Sequence, residues 1–482
     1  MIVGRAAEIK LLEGMWRSNK AEFCALYGRR RIGKTFLVRE LFEKKKGSLY
    51  FEVTGMKDGS LKGQLKHFAS KLSKTFYKGI SITPSHSWED AFGSLNEAIL
   101  NTKYKKVVVF LDELPWLATK RSGLIQALDY FWNTEWVKNK KIKLIACGSA
   151  ASWILNNLIN AKGGLHNRLT QVVLLEPFNL KTAKEFLSKQ GIRLSNKQLL
   201  DIYMIIGGIP FYLEQLKKSK SVSQNINSLC FSKNGLLKEE FSRLFKSLFK
   251  NSRLHLKLIK EIAKKRYGIS REELLKNIGE ISSGWINEKL NELVAAGFIK
   301  SFTPYGKIKK PCYKIIDEYS LFYLRWIKPE LSSGHDFAKN HWHIKSKTPS
   351  WTAWAGYAFE SVCEKHLEQI RVALEIDKID SPAHNWKYAP LQHSKESGAQ
   401  IDLLFDRDDS AITLCEIKYS NEKFVINKDY ARVLANKVDV FEAETKTKKQ
   451  ILFALITTIG VKANLYSEDQ IDSVVMLDDL FK

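Results

Sequence analysis

The residues with the clearest chemical meaning run from Gly28 to Thr35. They fit the pattern GxxxxGK[ST] without a mismatch, and that pattern describes loops that bind phosphate groups. Its two glycines permit backbone angles and close approach that turn amide N–H groups toward phosphate oxygens, Lys34 would reach the β- and γ-phosphates, and the Thr35 hydroxyl would bind Mg2+. The predicted nucleotide-binding residues of the loop are Gly28, Arg29, Arg30, Arg31, Ile32, Gly33, Lys34 and Thr35.

The segments on either side of the loop support this interpretation. Residues 23–27 are apolar and predict a buried strand, whereas residues 36–42 have the spacing of a helix. Strand, loop and helix in this order place the N-terminus of the helix, with its free N–H groups, beneath the phosphates. A chance match to the pattern is the alternative, and this context argues against it.

Two acids follow the next strongly apolar segment, residues 106–111. Asp112 is predicted to hold Mg2+, and Glu113 to polarise the water that attacks the γ-phosphate. Such a pair is common by chance, but it is specific after a complete phosphate-binding loop. It favours an ATPase over a kinase or a small GTPase.

Two further polar residues are candidates for the same site. Ser149 follows a predicted strand at 143–147 and would sense the γ-phosphate, or would instead cap the next helix. Arg168 is a candidate arginine finger that acts on a neighbouring subunit of a homo-oligomer. An ordinary surface arginine is the alternative for that position.

Six motifs in one order resemble the archaeal-type ATPases, a branch of the AAA+/STAND P-loop class. The resemblance covers nearly the full chain and implies ATP and Mg2+ as cofactors. It also implies that a helical lid follows the core and that Gly207–Pro210, by composition only a helix stop, is a hinge near the nucleotide. The motifs are Val3–Glu8, Gly28–Thr35, Leu111–Trp116, Cys147–Ser149, Glu176–Phe178 and Gly207–Pro210.

The composition describes a globular chain with an unusual charge. Its 482 residues are too many for one hydrophobic core, so we expect three or four domains. Lysine and arginine number 77 against 52 aspartates and glutamates, and the formal net charge of +25 favours polyanionic partners such as nucleic acid. A lysine-rich genome that places lysine on every solvated face is the alternative explanation.

Location is predicted from what the sequence lacks. No apolar run approaches the roughly 18 to 20 residues that span a bilayer. The six cysteines are scattered without a CxxC pair, which argues against a disulfide scaffold or a zinc site. We therefore expect a cytoplasmic protein that has no membrane partner.

The middle of the chain alternates helical patterns with short breaks. Three helices followed by a hairpin predict a winged helix-turn-helix, and the family resemblance implies the same domain. The predicted segments are a helix at 254–264, a helix opened by a capping box at Ser270–Glu273, a helix at 285–296 closed by Gly297, and a hairpin at 298–306 and 312–316.

Winged helices often bind DNA. The predicted reading helix places Lys289 beside Glu288 and near Glu292, which is a poor surface for phosphates. The wing is richer in cations, with Lys300, Lys307, Lys309 and Lys310. We therefore expect contacts to the backbone of DNA, or of RNA, without sequence readout, and a protein-contact role is the equal alternative.

A second constellation lies near the C-terminus. Asp402 stands on one predicted strand, and Glu416 and Lys418 stand on the next, in the pattern D…ExK. Two carboxylates on adjacent strands bind a hard divalent cation, and the lysine can orient water or stabilise charge on a phosphate. This pattern resembles the PD-(D/E)xK nuclease core, and Glu360, on a helix predicted at 351–370, matches the extra acid of that fold. An exposed, charged hairpin face is the alternative.

The register of this hairpin can be predicted, because opposed residues in an antiparallel pair have a constant index sum. Pairing Asp402 with Glu416 gives 818, centres the turn near Asp409, and places Leu403 opposite Cys415. Ile401 would then lie with Leu403 on an apolar face, opposite the acids and Lys418. A helix at 428–441 follows, and its Lys437 is expected to face the site.

The predicted fold class is α/β, with a P-loop NTPase core on a parallel sheet and a C-terminal restriction-endonuclease-like domain. An ATP-dependent, metal-dependent nuclease is the leading hypothesis, and a regulatory NTPase switch that binds partners or DNA without cutting is the alternative. The predicted domains are the ATPase core at 1–180, the helical lid at 181–248, the winged helix at 249–328, a linker at 329–350 and the nuclease-like domain at 351–482.

Overall fold

The computed structural model describes residues 2–160, 165, 167–249, 251–279, 283–307, 311–333, 340–390 and 398–482. Lys309 and Lys310, expected in the wing, lie outside these residues. The chain forms two compact units, the first mainly of residues up to Pro177 and the second mainly of residues from Phe178 onward. Within the described ranges, no helix is long and apolar enough to cross a membrane.

The first unit contains the predicted parallel sheet, with strand order β2-β3-β4-β1-β5. Its strands are β1 (Glu22–Tyr27), β2 (Ser48–Thr54), β3 (Lys106–Asp112), β4 (Ile142–Gly148) and β5 (Gln171–Leu174). Its helices are α1 (Ala6–Arg17), α2 (Lys34–Phe42), α3 (Leu61–Phe76), α4 (Trp88–Asn101), α5 (Leu114–Leu117), α6 (Leu124–Thr134) and α7 (Ala151–Ile154). The α/β class predicted for the core is confirmed.

Near-continuous apolar runs explain why the central strands form. Every residue of β4 is buried, and so is every residue of β3 after Lys106, as parallel strands covered on both faces require. Large aromatic side chains fill the core beside the sheet, and the rings of Phe92 and Trp136 lie 5.4 Å apart. The sheet is thus a rigid base for the loops at the carboxyl ends of its strands.

The second unit begins with a group of helices, α8 (Leu180–Lys189), α9 (Asn196–Ile206), α10 (Pro210–Leu213), α11 (Val222–Ile226) and α12 (Glu240–Leu248). The Gly207–Pro210 segment ends α9 and begins α10. The Phe178 N–H donates to the Gly208 carbonyl at 2.7 Å, and a Cβ on Gly208 would meet the Phe178 carbonyl oxygen at 1.8 Å. Only glycine allows this close approach, so two of the sequence motifs meet here.

The middle of the second unit contains the helices and hairpin that the sequence predicts, together with one short strand that it did not. The elements are α13 (Ser252–Ile262), β6 (Ile269–Ser270), α14 (Arg271–Ile278), α15 (Ser283–Ala295), β7 (Ile299–Phe302) and β8 (Cys312–Ile315). The strands form an antiparallel sheet in the order β6-β8-β7. The identification of this segment as a winged helix stays a prediction.

The C-terminal part is built on a mixed sheet with strand order β13-β12-β11-β10-β9. Strands β9 to β11 are antiparallel and β11 to β13 parallel, because α21 supplies the crossover after β11. The strands are β9 (Ala383–Tyr388), β10 (Ala399–Asp406), β11 (Ala411–Lys418), β12 (Gln450–Thr457) and β13 (Ser473–Met476). The helices are α16 (Glu318–Phe322), α17 (Lys328–Ser333), α18 (His341–Lys345), α19 (Pro349–Lys365), α20 (Leu367–Ala373), α21 (Lys428–Thr445) and α22 (Leu465–Gln470).

The segment predicted as a linker, 329–350, contains packed structure. It carries most of α17 and all of α18. Trp342 is buried, with its ring stacked on that of Phe231 at 5.6 Å and packed edge-to-face against that of Trp351 at 5.0 Å. These ring contacts anchor α18 to its neighbours.

The helix predicted at 351–370 is two helices, α19 and α20, that meet at His366. The imidazole Nδ1 lies 2.7 Å from the Val362 carbonyl oxygen, and Nε2 accepts the N–H of Leu180 at 3.0 Å. His366 therefore caps a free N–H at the start of α8 from a distant part of the chain. Periodicity predicts the apolar face of both helices but contains no signal for this break.

His366 makes the stability of the second unit dependent on pH. Burial lowers the pKa of this imidazole from 6.5 to about 4, so the neutral ring is favoured in the folded chain. The contribution of the neutral ring to the free energy of unfolding is fully present above pH 6.5 and is lost as pH falls toward 4. Between pH 7.5 and pH 5 the loss amounts to about 2 kcal/mol in the free energy of unfolding.

Urea denaturation at these two pH values measures this loss. The variant His366→Gln keeps an acceptor for Leu180 but does not titrate, so its stability should change less with pH by that amount. His343→Gln, at an exposed position on α18, is the matched control and should behave like the natural protein. An identical pH dependence in all three proteins would contradict the assignment.

Candidate nucleotide site and candidate acidic site

The phosphate-loop residues lie between β1 and α2, as the sequence predicts. Gly28 has φ 141°, and a Cβ there would meet the Leu175 carbonyl oxygen at 2.3 Å. Gly33 has φ 91° and is the N-cap of α2. Both positions therefore need glycine, one for space and for its backbone angle, the other for its backbone angle alone. Arg31 also has positive φ, at 74°.

The remaining loop residues divide by burial. Arg29 and Ile32 are buried, whereas Arg30 and Arg31 are half-buried. The Ile32 carbonyl accepts a hydrogen bond at 3.4 Å from Arg5, which also pairs with Glu8. The VGRxxE segment near the start of the chain, which contains Arg5 and Glu8, thus contacts the backbone of the phosphate loop.

Lys34 and Thr35 begin α2 and point into the loop. The buried Lys34 ammonium donates to the carbonyls of Gly28 and Arg29, each at 2.9 Å. The Thr35 hydroxyl lies 3.1 and 3.2 Å from the two carboxylate oxygens of Asp112 at the end of β3. A hydroxyl and a carboxylate one hydrogen bond apart form a hard oxygen pair, which fits Mg2+.

The charged form of the Asp112 carboxyl is disfavoured in the folded chain. Burial raises the pKa of this carboxyl, and so does the neighbouring Glu113, while the Thr35 hydroxyl opposes them. A buried acid whose charge is disfavoured gains from a divalent cation beside it. The residues present therefore suit the cofactor pair that the loop predicts.

Glu113 and Ser149 are brought together. Glu113 has φ 48°, and its carboxylate accepts the Ser149 N–H at 3.1 Å and also the Ser149 hydroxyl. Helix α7 has Ala150 at its N-cap, so the alternative role of Ser149 as a helix cap is wrong. Ser149 orients Glu113 instead, at the edge where β3 and β4 end.

Arg168 lies apart from this group in the sequence, in the segment before β5. Its side chain is exposed. An exposed position is compatible with an arginine finger and with an ordinary surface residue, so its role stays a prediction.

The C-terminal hairpin has the predicted register. Leu403 pairs with Cys415 and Leu404 with Leu414, so the index sum is 818. A carboxylate oxygen of Asp402 accepts the Ile417 N–H at 3.1 Å, which places this acid beside the segment that carries Glu416.

One detail of the hairpin differs from the prediction. The pairing of β10 with β9 shifts between Ile401 and Leu404, which marks a β-bulge. Ile401 consequently belongs to the apolar cluster that contains Leu404 and Leu414, and Leu403 is not in that cluster. Strict alternation along β10 therefore fails at Asp402, because the bulge inserts one residue.

Glu416 is the most heavily bonded residue of the acidic group. It pairs with Lys418 at 2.8 Å and with Lys437 at 2.5 Å, and it accepts the Tyr430 hydroxyl at 2.8 Å. Burial opposes its charge, but the two ammonium groups lower the pKa of this carboxyl below its ordinary value. Lys437 faces the site, as expected from the sequence.

The charged forms of the other two acids, Asp402 and Glu360, are disfavoured in the folded chain. Burial and the nearby Glu416 raise the pKa of Asp402. Burial and Asp402 raise the pKa of Glu360 to about 7, although Arg266 pairs with it. Among the described residues, no three acidic, histidine or cysteine side chains form a metal-binding group. The predicted set of Glu360, Asp402 and Glu416 therefore does not converge on one ion, and only Asp402 and Glu416 remain as a pair.

Sequence reasoning missed two residues of this site. Tyr430 lies on the same helical face as Lys437, seven residues earlier, and this spacing could have found it. Arg266 lies in the turn between α13 and β6, about ninety residues from its partner Glu360, and no local pattern indicates the contact.

Lys300 also differs from its expected place on an open wing. Its ammonium lies 3.4 Å from Glu364 on α19, and the buried Lys314 pairs with the same carboxylate at 2.7 Å. Both lysines lower the pKa of Glu364 despite its burial. The strands β7 and β8 thus contact the C-terminal part, and Lys300 is not a purely solvent-exposed cation.

The parallel sheet and the loop between β1 and α2 define the class of this protein, a P-loop ATPase. Residues 2–216 match a family described as ATPase domains predominantly from Archaea. This match supports ATP as the nucleotide of the loop. The match does not extend to the predicted winged helix or to the C-terminal sheet.

Several known proteins are similar to the chain. An uncharacterised protein of Methanocaldococcus jannaschii is 28% identical over 433 residues, 88% of each chain. An uncharacterised ATP-binding protein of the same organism is 50% identical over 46 residues, 10% of this chain and 78% of its own. A Walker-type ATPase of Pyrococcus abyssi is 18% identical with a TM-score of 0.49, covering 67% of this chain and 96% of its own. The ORC2 protein of Aeropyrum pernix is 14% identical with a TM-score of 0.41, covering 68% and 95%.

Proposed function

We propose that ATP hydrolysis in the first unit controls cleavage of nucleic acid by a metal-dependent, nuclease-like site in the second. The catalytic residues of this second site would be Asp402, Glu416 and Lys418. The observation that carries the proposal is that these three residues lie on paired strands, directly beside a tyrosine that is held by α9.

The ATPase step follows from the contacts of the loop. Backbone N–H groups at the start of α2 and the Lys34 ammonium would hold the phosphates, and Lys34 would exchange its two carbonyl acceptors for phosphate oxygens. Thr35 and Asp112 would hold Mg2+, which neutralises charge on the β- and γ-phosphates when bound. Glu113, oriented by Ser149, would accept a proton from the attacking water.

The coupling follows from Tyr419, the residue after Lys418. Its hydroxyl accepts from Lys197 at 2.5 Å and donates to Asp201 at 2.8 Å, and both partners lie on α9. The Lys197 ammonium also lies 4.2 Å from the centre of the Tyr419 ring. Movement of α9 would therefore move the end of β11, where Lys418 contacts Glu416.

The net charge of the chain supports nucleic acid as the substrate. The chain carries a formal net charge of +25, and such a surface gathers phosphates without regard to sequence. Around Glu416, Lys418 and Lys437 would stabilise the charge of a phosphate near Asp402. Binding of a divalent cation by Asp402 and Glu416 would require Lys437 to leave its carboxylate partner.

A second function is favoured by that same pairing. Lys418, Lys437 and Tyr430 already occupy Glu416, and the three predicted carboxylate ligands do not converge in the described residues. A chain in which this arrangement persists would act as an ATP-dependent switch that binds DNA or a partner without cutting. The two functions differ in one measurable product, the cut strand.

The variant Tyr419→Phe tests the coupled function, because it removes only the hydroxyl that α9 holds. Purified protein is incubated with single- and double-stranded DNA and with RNA, in Mg2+ or Mn2+, with and without ATP. We expect ATP to change the cleavage rate of the natural protein and not that of the variant, while both hydrolyse ATP equally.

Tyr104→Phe, at an exposed position, is the matched control and should leave the ATP effect intact. Cleavage that responds to ATP equally in both variants would contradict the coupling through Tyr419. Absence of cleavage by the natural protein under all conditions would favour the switch.

A further inference from the structure

Lysine is concentrated at the edge of the parallel sheet that lies opposite the phosphate loop. Because β1 to β4 are parallel, the segments that enter them all reach the sheet at its amino edge. Of the twelve residues that fill the three positions before each of these strands, seven are lysines and none is acidic. The whole chain has 77 basic against 52 acidic residues, so this excess is local. The seven are Lys20, Lys45, Lys46, Lys103, Lys105, Lys140 and Lys141, and together with Lys106 and Lys143 on the strands they form what we call the lysine edge.

Strand pairing brings the members of the lysine edge together in space. Lys143 on β4 is in register with Glu22 on β1. The ammonium groups of Lys45 and Lys106 lie 5.1 and 4.9 Å from the centre of one ring, that of Trp16. The four strands lie side by side in the order β2-β3-β4-β1. At the usual spacing of neighbouring strands, their ends span about 15 Å.

Acidic side chains neutralise little of this charge. Among the described residues, Lys45 is the one of the seven that makes an ion pair, with Glu13. Burial lowers the pKa of Lys143 to about 8, against the effect of Glu22 and together with that of the nearby Lys106. The positive charges of the edge therefore outnumber the acids that contact them.

Backbone carbonyls hold some of the ammonium groups in place. The Lys141 ammonium donates to the Thr102 carbonyl at 3.0 Å, and the buried Lys143 ammonium donates to the Ser18 carbonyl at 3.0 Å. A carbonyl acceptor fixes an ammonium group without cancelling its charge, and each ammonium has three donors. The edge is thus a partly preorganised group of cations.

We propose that the lysine edge binds the phosphate backbone of double-stranded DNA, without regard to base sequence. Lysines that neutralise phosphates release condensed counterions, and this release supplies most of the free energy of such binding. A width of about 15 Å exceeds the roughly 12 Å of the B-DNA major groove, so the edge can reach both backbones of a duplex. The inference rests on the proposed function, because it gives the nucleic acid of that function a place of binding on the first unit.

A single strand fits this surface less well. Proteins that hold single strands stack successive bases on several aromatic rings. The half-buried Trp16 ring is already covered by the ammonium groups of Lys45 and Lys106. Tyr104 is a single exposed ring in these segments. The edge therefore offers cations for phosphates without a row of rings for bases.

Fluorescence anisotropy with a short labelled DNA duplex tests the assignment. Divalent cations and ATP are left out, so that binding is measured without cleavage or turnover. The triple variant Lys46→Gln, Lys105→Gln, Lys140→Gln removes one exposed lysine from each of three segments. The loss of three phosphate contacts should weaken binding about 10²-fold at about 0.1 M salt, and should lower the slope of log Kd against log salt concentration by about three.

The triple variant Lys62→Gln, Lys66→Gln, Lys120→Gln is the matched control. It removes the same charge from exposed lysines that follow the carboxyl ends of β2 and β3, and it should bind the duplex with the affinity of the natural protein. Urea denaturation checks that both triple variants are folded. If the first is not, Lys46→Gln alone should lower the salt slope by about one.

Equal weakening in the two triple variants would overturn the proposal, because net charge and not this surface would then determine the binding. Failure of the natural protein to bind the duplex, or tighter binding of a single strand of the same sequence, would overturn it as well. So would a loss in the first variant that is confined to vesicles of phosphatidylserine.

Two further outcomes separate this inference from the proposed function. Loss of duplex binding only in the lysine-edge variant, in a protein that never cuts, would leave the surface assigned and the nuclease function wrong. Cleavage by a protein whose duplex binding the lysine-edge variant does not change would have the opposite meaning.

Discussion

Lys34→Ala is expected to reduce ATP hydrolysis by about 10²- to 10³-fold, the effect of removing one preorganised charge from a transition state. Lys34 is buried at the start of α2, with its ammonium 2.9 Å from two carbonyls of the loop. Those bonds hold the ammonium where phosphate oxygens would lie. Release of phosphate from ATP, measured at saturating ATP, checks the prediction.

The fold should survive this substitution, because Lys34 makes no ion pair within the part of the chain that the structure describes and the glycine geometry of the loop remains. Lys44→Ala, at an exposed position shortly after α2, is the matched control and should hydrolyse ATP normally. Unchanged turnover in Lys34→Ala would mean that the loop does not carry the hydrolysis. Its equilibrium unfolding would show whether a loss of activity comes from a loss of structure.

Asp402→Asn is expected to lower metal-dependent cleavage by about 10³-fold, equivalent to the several kcal/mol that a metal site supplies. The substitution keeps the shape of the side chain and an oxygen for the Ile417 N–H. Because burial and Glu416 raise the pKa of Asp402, loss of its charge should leave stability unchanged or higher. Cleavage would then fall without any loss of stability, which misfolding cannot produce.

Cleavage of labelled DNA and urea denaturation, measured on the same preparation, check both parts. Asp408→Asn changes an exposed acid in the turn of the same hairpin and should cut normally. Cleavage by Asp402→Asn at the natural rate would remove this residue from the catalytic set. Its ATP hydrolysis should stay normal, which separates this site from the loop at Lys34.

The nucleotide site could be predicted almost entirely from the sequence. Loop, strand and helix are contiguous from Glu22 to Phe42, and each residue type has a local reason. The placement of Asp112 beside Thr35 was also predictable, because parallel strands of one sheet present their carboxyl ends at the same edge. The bond between Ser149 and Glu113 was not, since a serine after a strand can cap a helix equally well.

The acidic site was predictable only in part. The index sum of 818 follows from the turn and the apolar pattern, and the pairing of Leu403 with Cys415 confirms it. The bulge near Asp402 depends on β9, a strand that the sequence analysis did not identify. The contact of Arg266 with Glu360 likewise depends on segments that meet only in the folded chain.

By itself, then, the sequence determined the chemistry that is local: a phosphate loop with its acids, and a hairpin that carries Asp402, Glu416 and Lys418. Local spacing suffices there because a strand, a turn or a helix positions residues only a few places apart. Tertiary structure decided which neighbours those residues have. Glu416 gained Lys437 and Tyr430 from α21, and Tyr419 gained its partners on α9. These contacts join segments far apart in the chain, and burial, which shifts the pKa values of the acids, exists only once those segments pack.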